Sequence, residues 1–201
     1  MGLRLWERLR SWVARKAPMK LAVGATLIGV AVGAFGIMGT TAGLRWTNTE
    51  AFCIGCHEMR DNVYVEFKDT IHDSNRSGVR ATCPDCHVPK ELGPLLLRKV
   101  HATWELYGAL TGKINTKEKF ETHRYDMAKR VWISMKETDS RECRNCHTRA
   151  AMSKDLQSEK AQARHTKGDA EGNTCIDCHF GLAHKEPDGP GPKELATASS
   201  K

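Results

Sequence analysis

The stretch Cys83-Pro84-Asp85-Cys86-His87 decides the fold class of this chain of 201 residues. It is one of four copies of a Cys-x-x-Cys-His motif, and together the copies use all eight cysteines of the sequence. The other three are Cys53-Ile54-Gly55-Cys56-His57, Cys143-Arg144-Asn145-Cys146-His147 and Cys175-Ile176-Asp177-Cys178-His179. Cysteine pairs alone would also suit a disulfide scaffold, a zinc site or a redox-active dithiol. None of these alternatives needs a histidine directly after every second cysteine.

The spacing within each motif predicts covalent attachment of one haem. Two thiols three residues apart can add to the two vinyl groups on one haem edge, and the adjacent histidine can then reach the iron. We therefore expect four haem c groups. The haems would be attached covalently through Cys53, Cys56, Cys83, Cys86, Cys143, Cys146, Cys175 and Cys178. The histidines of the four motifs are His57, His87, His147 and His179.

The composition agrees with a domain that is filled by cofactors. Aromatic residues make up 6% of the chain and charged residues 27%, so the protein has little apolar material for a core. Four flat, apolar macrocycles would fill that space. The formal charge of +7 would by itself indicate nucleic acid or a membrane surface. Because each haem brings two propionates, this charge is no evidence for nucleic acid, and we expect no such partner.

The motifs form two similar pairs. The first cysteines of a pair are 30 residues apart in one case (Cys53 and Cys83) and 32 in the other (Cys143 and Cys175). Ten residues separate His72 from Cys83, and nine separate His165 from Cys175. This repeat predicts two dihaem modules in a mainly α-helical domain, at residues 45–92 and 141–185, joined by a helical linker at 93–140. The Pro-, Gly- and Ser-rich tail 186–201 is expected to be disordered.

Each haem iron needs a second axial ligand besides its motif histidine. The repeat favours His72 and His165 for this role, and His184 could serve a haem of either module. His101 and His123 in the linker are weaker candidates. Met59 either packs or supplies an axial thioether to the first haem, so the choice between Met59 and His57 stays open.

The N-terminal region predicts a membrane anchor. Residues 21–44 contain no charged side chain, and about 20 such residues span a bilayer as a helix. The tail at residues 1–20 holds six Arg and Lys residues and one acid, which predicts a cytoplasmic N-terminus and a haem domain on the periplasmic side of a bacterial inner membrane. A cleaved signal peptide is the alternative, but its apolar region is usually shorter. Gly29 and Gly33 are spaced as GxxxG, so a homodimer is a further expectation.

These features together resemble the NapC/NirT family of tetrahaem quinol dehydrogenases. The likeness covers the anchor, the segment 47–52, and the motifs CxxCHxM (Cys53–Met59), CPDCHVP (Cys83–Pro89), CRNCH (Cys143–His147) and CIDCH (Cys175–His179). It implies oxidation of membrane quinol, ubiquinol or menaquinol, and electron transfer to a periplasmic reductase. The likeness is strongest to the branch that serves nitrate reductase. A relay without direct quinol oxidation, serving a nitrite or TMAO reductase, is the alternative.

The resemblance also implies a quinol site. In family members a lysine and an acid line the quinol pocket, and Lys99 and Glu105 match that pair. On one ideal helix the two side chains point about 120° apart, so they could flank a ring. Two other functions fit less well. A terminal reductase of the family type would need a CxxCK motif, and a haem sensor would need an output domain larger than the 20-residue tail.

Overall fold

The computed structural model describes residues 2–197, and in the first 17 residues it describes only the side chains of residues 7 and 10–12. The chain divides into two compact units between Thr47 and Asn48. All regular elements in the described range are helical, which confirms the predicted mainly α class. Met1 and residues 198–201 of the predicted termini lie outside this range.

The first unit is one helix, α1 (Gly2–Thr47). Its part from Pro18 to Thr47 contains an 18-residue stretch with a mean hydropathy of 2.2 and is the one helix in the described chain long and apolar enough to cross a membrane. This span includes the predicted anchor at 21–44. Hydroxyl groups within it are satisfied by the helix itself, since Thr26 Oγ1 donates to the Ala22 carbonyl (2.9 Å) and Thr41 Oγ1 to the Ile37 carbonyl (2.7 Å). No described atom lies near the open faces of Gly29 and Gly33, so the homodimer stays a prediction.

Short helices and two long ones make up the second unit. The short helices are α2 (Glu50–Cys53), α3 (Val65–Phe67), α4 (Cys83–His87) and α7 (Arg141–Arg144). The predicted helical linker consists of α5 (Leu92–Leu110) and α6 (Lys117–Glu137), and α8 (Glu159–Ala170) precedes the last motif. A π-helix spans Met59–Tyr64, and 3-10 turns span Arg149–Ala151, Cys175–Asp177 and Pro192–Glu194.

The apolar core of this unit is small, as the composition predicts. Among the described residues the buried apolar side chains are Phe67, Phe120, Trp132 and Ile176. Polar contacts hold distant segments together instead. Arg124 of α6 donates from both terminal nitrogens to Glu66 of α3, at 2.9 and 2.7 Å, and both side chains are about 10% exposed. Because such a buried pair is bidentate, it fixes the angle as well as the distance between α3 and α6.

The C-terminal segment is ordered as far as Thr197, whereas its composition predicts disorder. Lys136 of α6 donates to the carbonyls of Pro192 (2.7 Å) and Leu195 (2.9 Å), and its ammonium group lies 2.9 Å from Asp177 Oδ1. Tyr125 donates its hydroxyl to the Pro190 carbonyl, and Pro192 is fully buried. Composition alone does not reveal these contacts, because each one depends on a single side chain of a helix more than 50 residues away.

Candidate haem-binding site

The four motifs adopt short helical turns that bring their cysteines close to one another. Helix α2, which ends at Cys53, packs on α4, and α4 packs on α7. The thiol groups of Cys53 and Cys83 are within hydrogen-bonding distance of each other. All eight cysteines lie in the described part of the chain, and none forms a disulfide. The disulfide-scaffold interpretation therefore has no support in this structure.

The second and fourth motifs share one local structure. The Thr82 backbone N–H and hydroxyl both donate to Asp85 Oδ2, at 2.9 and 2.6 Å. The Thr174 backbone N–H and hydroxyl donate in the same way to Asp177 Oδ2, both at 2.8 Å. Each is a capping box that starts a helical turn at the first cysteine of the motif. The predicted repeat is thus present in the backbone as well as in the sequence.

Three motif histidines each face a histidine from outside the motifs. The ring centroids are 6.2 Å apart for His147 and His72, 6.2 Å for His87 and His184, and 6.1 Å for His179 and His165. When two imidazole rings bind one metal ion from opposite sides, each metal–nitrogen bond is about 2 Å long and each ring centre lies about 1 Å beyond its nitrogen. The two ring centres are then about 6 Å apart. The residues present therefore fit one metal ion between the rings of each pair.

The protonation of these histidines suits metal binding. Burial, with smaller contributions from the neighbouring His184 and Arg98, lowers the pKa of His87 to about 4. Burial is also the largest cause of the lowered pKa values of His72 and His184. A histidine whose pKa is lowered in this way is neutral at pH 7, and the neutral imidazole is the form that coordinates metals.

Hydrogen bonds from Nδ1 orient two of the histidines outside the motifs. His184 Nδ1 lies 3.1 Å from the Val63 carbonyl oxygen, and His165 Nδ1 lies 2.8 Å from Gln157 Oε1. Both partners are acceptors, so each ring carries its proton on Nδ1 and leaves the Nε2 lone pair for a metal. Sequence reasoning missed Gln157. Gln157 lies eight residues before His165 and two residues before α8 begins, and these positions form no recognisable motif.

The pairing crosses between the two predicted modules. His72 of the first module faces His147 of the second, and His184 of the second faces His87 of the first. Only His165 and His179 pair within one module. His123 directs Nδ1 to the Lys119 carbonyl of its own helix (2.9 Å), and His101 is exposed. The three non-motif histidines that pair are thus the three that the sequence favours.

The first motif differs from the other three. His57 Nε2 lies 3.2 Å from the Asn115 carbonyl oxygen, and the His57 side chain is 55% exposed. Nδ1 of the same ring lies 3.4 Å from the buried carboxylate of Glu58. The partly buried Met59 follows as the first residue of the π-helix. Such π-helical segments are rare and are frequent at functional sites.

Helix α5 carries the two residues that the resemblance assigns to quinol. Lys99 is partly buried, and burial is the main cause of its lowered pKa, with the Cys53 thiol acting in the opposite direction. The mostly exposed Glu105 forms an ion pair with Arg98 (3.0 Å), and Arg98 Nε donates to the His87 carbonyl (3.2 Å). Arg98 thus connects Glu105 to the second motif, a role that its sequence position did not indicate.

A helical domain with four such motifs and three facing histidine pairs defines a multihaem c-type cytochrome. The chain belongs to the NapC/NirT cytochrome c family, whose model for the N-terminal region matches residues 16–189. It is therefore a tetrahaem c-type cytochrome of electron transport, and the apolar helix Pro18–Thr47 fits a membrane anchor. No solved structure shows a significant match to the chain.

Several curated relatives are similar to this chain over most of their length. The denitrification system component NirT of Stutzerimonas stutzeri is 50% identical over 166 residues, or 83% of each chain. The cytochrome c-type protein NapC of Escherichia coli K12 is 49% identical over 180 residues, covering 89% of this chain and 90% of its own. A "tetraheme cytochrome-c type" protein of Allochromatium vinosum is 45% identical over 170 residues, covering 85% and 90%. The chain is about equally identical to these relatives, so the comparison shows the family but not the branch of the family.

Proposed function

We propose that this protein oxidises membrane quinol and passes the electrons to a periplasmic reductase, most specifically nitrate reductase. The observation that carries the proposal is the position of Lys99 beside Cys53 of the first motif. That motif begins only six residues after Thr47, where the apolar helix ends. A cation beside a cofactor-binding motif, close along the chain to a membrane span, is suited to binding a ligand that comes from the bilayer.

The proposal includes a ligand set for three of the haems. The second haem attaches through Cys83 and Cys86 and is ligated by His87 and His184. The third attaches through Cys143 and Cys146 and is ligated by His147 and His72. The fourth attaches through Cys175 and Cys178 and is ligated by His179 and His165. The support for each pair is its centroid separation of 6.1 or 6.2 Å.

For the first haem, attached at Cys53 and Cys56, we propose Met59 as the axial ligand in place of His57. Two observations support this choice. The Asn115 carbonyl already engages His57 Nε2, and no second histidine forms a ring pair with His57 among residues 2–197. A thioether ligand raises the reduction potential of a haem relative to a second imidazole. A Met59→Leu variant should therefore change the spectrum of one haem, whereas a Met59 that only packs would leave all four spectra unchanged.

Quinol oxidation releases two electrons and two protons, and the chain's own residues would handle the protons. Haem c supplies one-electron oxidation and reduction when bound. Lys99 Nζ would donate a hydrogen bond to one quinol oxygen and so orient the ring beside the first motif. Glu105 would accept one proton from the other oxygen, and the second proton would leave to solvent. The ion pair with Arg98 would hold the Glu105 carboxylate in position.

The proposal also covers the protein that accepts the electrons and the orientation of the chain in the membrane. The basic residues before the apolar helix favour a cytoplasmic N-terminus, and the haem domain would then lie in the periplasm, where the electrons leave. One relative, the NirT protein of Stutzerimonas stutzeri, is a component of a denitrification system. A periplasmic nitrate reductase is therefore the acceptor to test first, and a nitrite or TMAO reductase is the alternative.

The experiment is the rate at which a quinol reduces the purified, oxidised protein, followed through its haem absorption. We expect fast reduction of the wild type and a rate at least tenfold lower for Lys99→Met, since a lost hydrogen bond from a charged donor costs about 1.5–3 kcal/mol. Lys129→Met, an exposed position on α6, is the matched control. Slow reduction of a wild-type sample that dithionite reduces fully would instead indicate a relay fed by another protein.

A further inference from the structure

Helix α5 has an apolar face that no other described part of the protein covers. No residue of this 19-residue helix is buried. Eight of its large apolar residues are between 45% and 78% exposed, and they are Leu92, Leu96, Leu97, Val100, Trp104, Leu106, Tyr107 and Leu110. Single exposed apolar residues are ordinary, but a contiguous set of this size marks an interaction surface.

Most of these residues share one side of the helix. At about 100° per residue, Leu96, Tyr107, Val100, Trp104 and Leu97 fall within an arc of about 100°. Leu92 and Leu110 widen the arc to about 140°, and Leu106 lies outside it, about 20° from Lys99. That width is typical of an amphipathic helix that buries one face. Whatever covers this face must therefore be apolar over the whole length of the helix.

The polar residues of α5 are directed to the haem motifs. Arg98 donates to the His87 carbonyl, and Lys99 lies within electrostatic reach of Cys53. Arg98 is about 150° from the centre of the apolar arc and Lys99 about 110°. The apolar face therefore points away from the cysteine motifs, and contact with those motifs does not account for it.

We propose that this apolar face of α5 lies in the surface of the lipid bilayer, as a second membrane contact besides the spanning helix. Chain connectivity supports this occupant. Two residues, Asn48 and Thr49, join α1 to α2, and the six residues from Thr47 to Cys53 span at most about 20 Å. Lys99 of α5 lies within electrostatic reach of Cys53, so the chain limits how far this part of α5 can lie from the end of the membrane span.

The side chains of α5 also match a lipid surface in chemistry. Trp104 and Tyr107 contact each other edge to face, with centroids 6.4 Å apart. These two residue types concentrate where hydrocarbon meets headgroups, since each combines an apolar ring with one polar atom. Lys90 and Lys113 flank the ends of the helix, and the charge of Glu105 is offset by Arg98. A leucine- and tryptophan-bearing face with cations beside it is typical of a helix that lies in the interface.

Site-specific photocrosslinking in the full-length haem protein tests this proposal directly. A benzophenone amino acid would replace Trp104 in one variant and Leu97 in a second, and both would be reconstituted in vesicles of phosphatidylethanolamine and phosphatidylglycerol. We expect irradiation to give protein–phospholipid adducts at both positions, detected by mass spectrometry. Leu156 provides the matched control, because it is an apolar residue outside α5 that is 89% exposed. No lipid adduct is expected there.

Two outcomes would overturn the proposal. Crosslinks from positions 97 and 104 to a second copy of the chain would make the face a dimer interface. The bilayer would be ruled out as the partner of this face if neither position gave lipid adducts. It would also be ruled out if position 156 gave adducts in equal abundance. The experiment uses no quinol, so its result is independent of whether the protein oxidises quinol.

Discussion

The rings of His87 and His184 face each other with centroids 6.2 Å apart and an interplanar angle of 26°, although 97 residues separate them along the chain. Both histidines have pKa values lowered by burial, so both are neutral at pH 7. The bond of His184 Nδ1 to the Val63 carbonyl leaves Nε2 directed at a ligand. In the proposed function these two rings would hold the iron of the second haem.

Replacement of His184 should therefore alter one haem and leave the other three unchanged. In His184→Ala the thioether attachment at Cys83 and Cys86 remains, so the haem content should stay at four per chain. The second haem should lose a strong-field ligand and become high-spin, which electron paramagnetic resonance detects. His123→Ala is the control, because His123 bonds only within its own helix. An unchanged, fully low-spin spectrum of His184→Ala would remove this histidine from the ligand set.

Gln157 should tune the potential of the fourth haem. Its Oε1 accepts from His165 Nδ1 at 2.8 Å, and an acceptor at this position raises the basicity of the ligand and so favours ferric iron. Gln157→Leu should therefore raise the reduction potential of one haem by tens of millivolts, and Gln157→Glu should lower it. A redox titration followed by optical absorption measures both shifts. Shifts of the same sign in the two variants would contradict a role through His165.

Lys136 should hold the C-terminal segment in place. Lys136→Met removes two hydrogen bonds to backbone carbonyls and the ion pair with Asp177, whose side chain is 5% exposed. Breaking a buried ion pair costs about 3–5 kcal/mol. We expect trypsin to cleave the variant at Lys193 faster than the wild type. Lys129→Met on the exposed side of α6 should be cleaved at the wild-type rate. Equal cleavage of Lys136→Met and wild type would show that other contacts hold the segment.

Local signals in the sequence predicted much of what the structure contains. The apolar run at 21–44 lies within the helix that the structure extends from Pro18 to Thr47. The Thr-Cys-x-Asp-Cys-His frames at Thr82 and Thr174 form the same capping box, because all of its partners lie within three residues. His72, His165 and His184 are the histidines outside the motifs that find ring partners.

Contacts between residues that are far apart along the chain could not be predicted in the same way. The repeat left open which motif each outside histidine would meet, and in the structure His72 faces His147. Which histidine meets which motif depends on the packing of α4 against α7 and on the Arg124–Glu66 pair. Neither contact has a signature in the local sequence. The ordered tail depends likewise on Lys136, whose two carbonyl acceptors lie 56 and 59 residues further along the chain.

The exchange of histidines between the two halves of the haem domain has a consequence for biosynthesis. A half that ended after the second motif would contain His87 without His184, and the other half would contain His147 without His72. With the proposed ligation, the irons of the second and third haems join segments 97 and 75 residues apart, as covalent crosslinks would. The second haem can acquire its full coordination only after residue 184 has been synthesised. With this ligation, assembly of the electron-transfer chain would not proceed one module at a time, and a truncated product would lack a ligand for a haem that it had already attached.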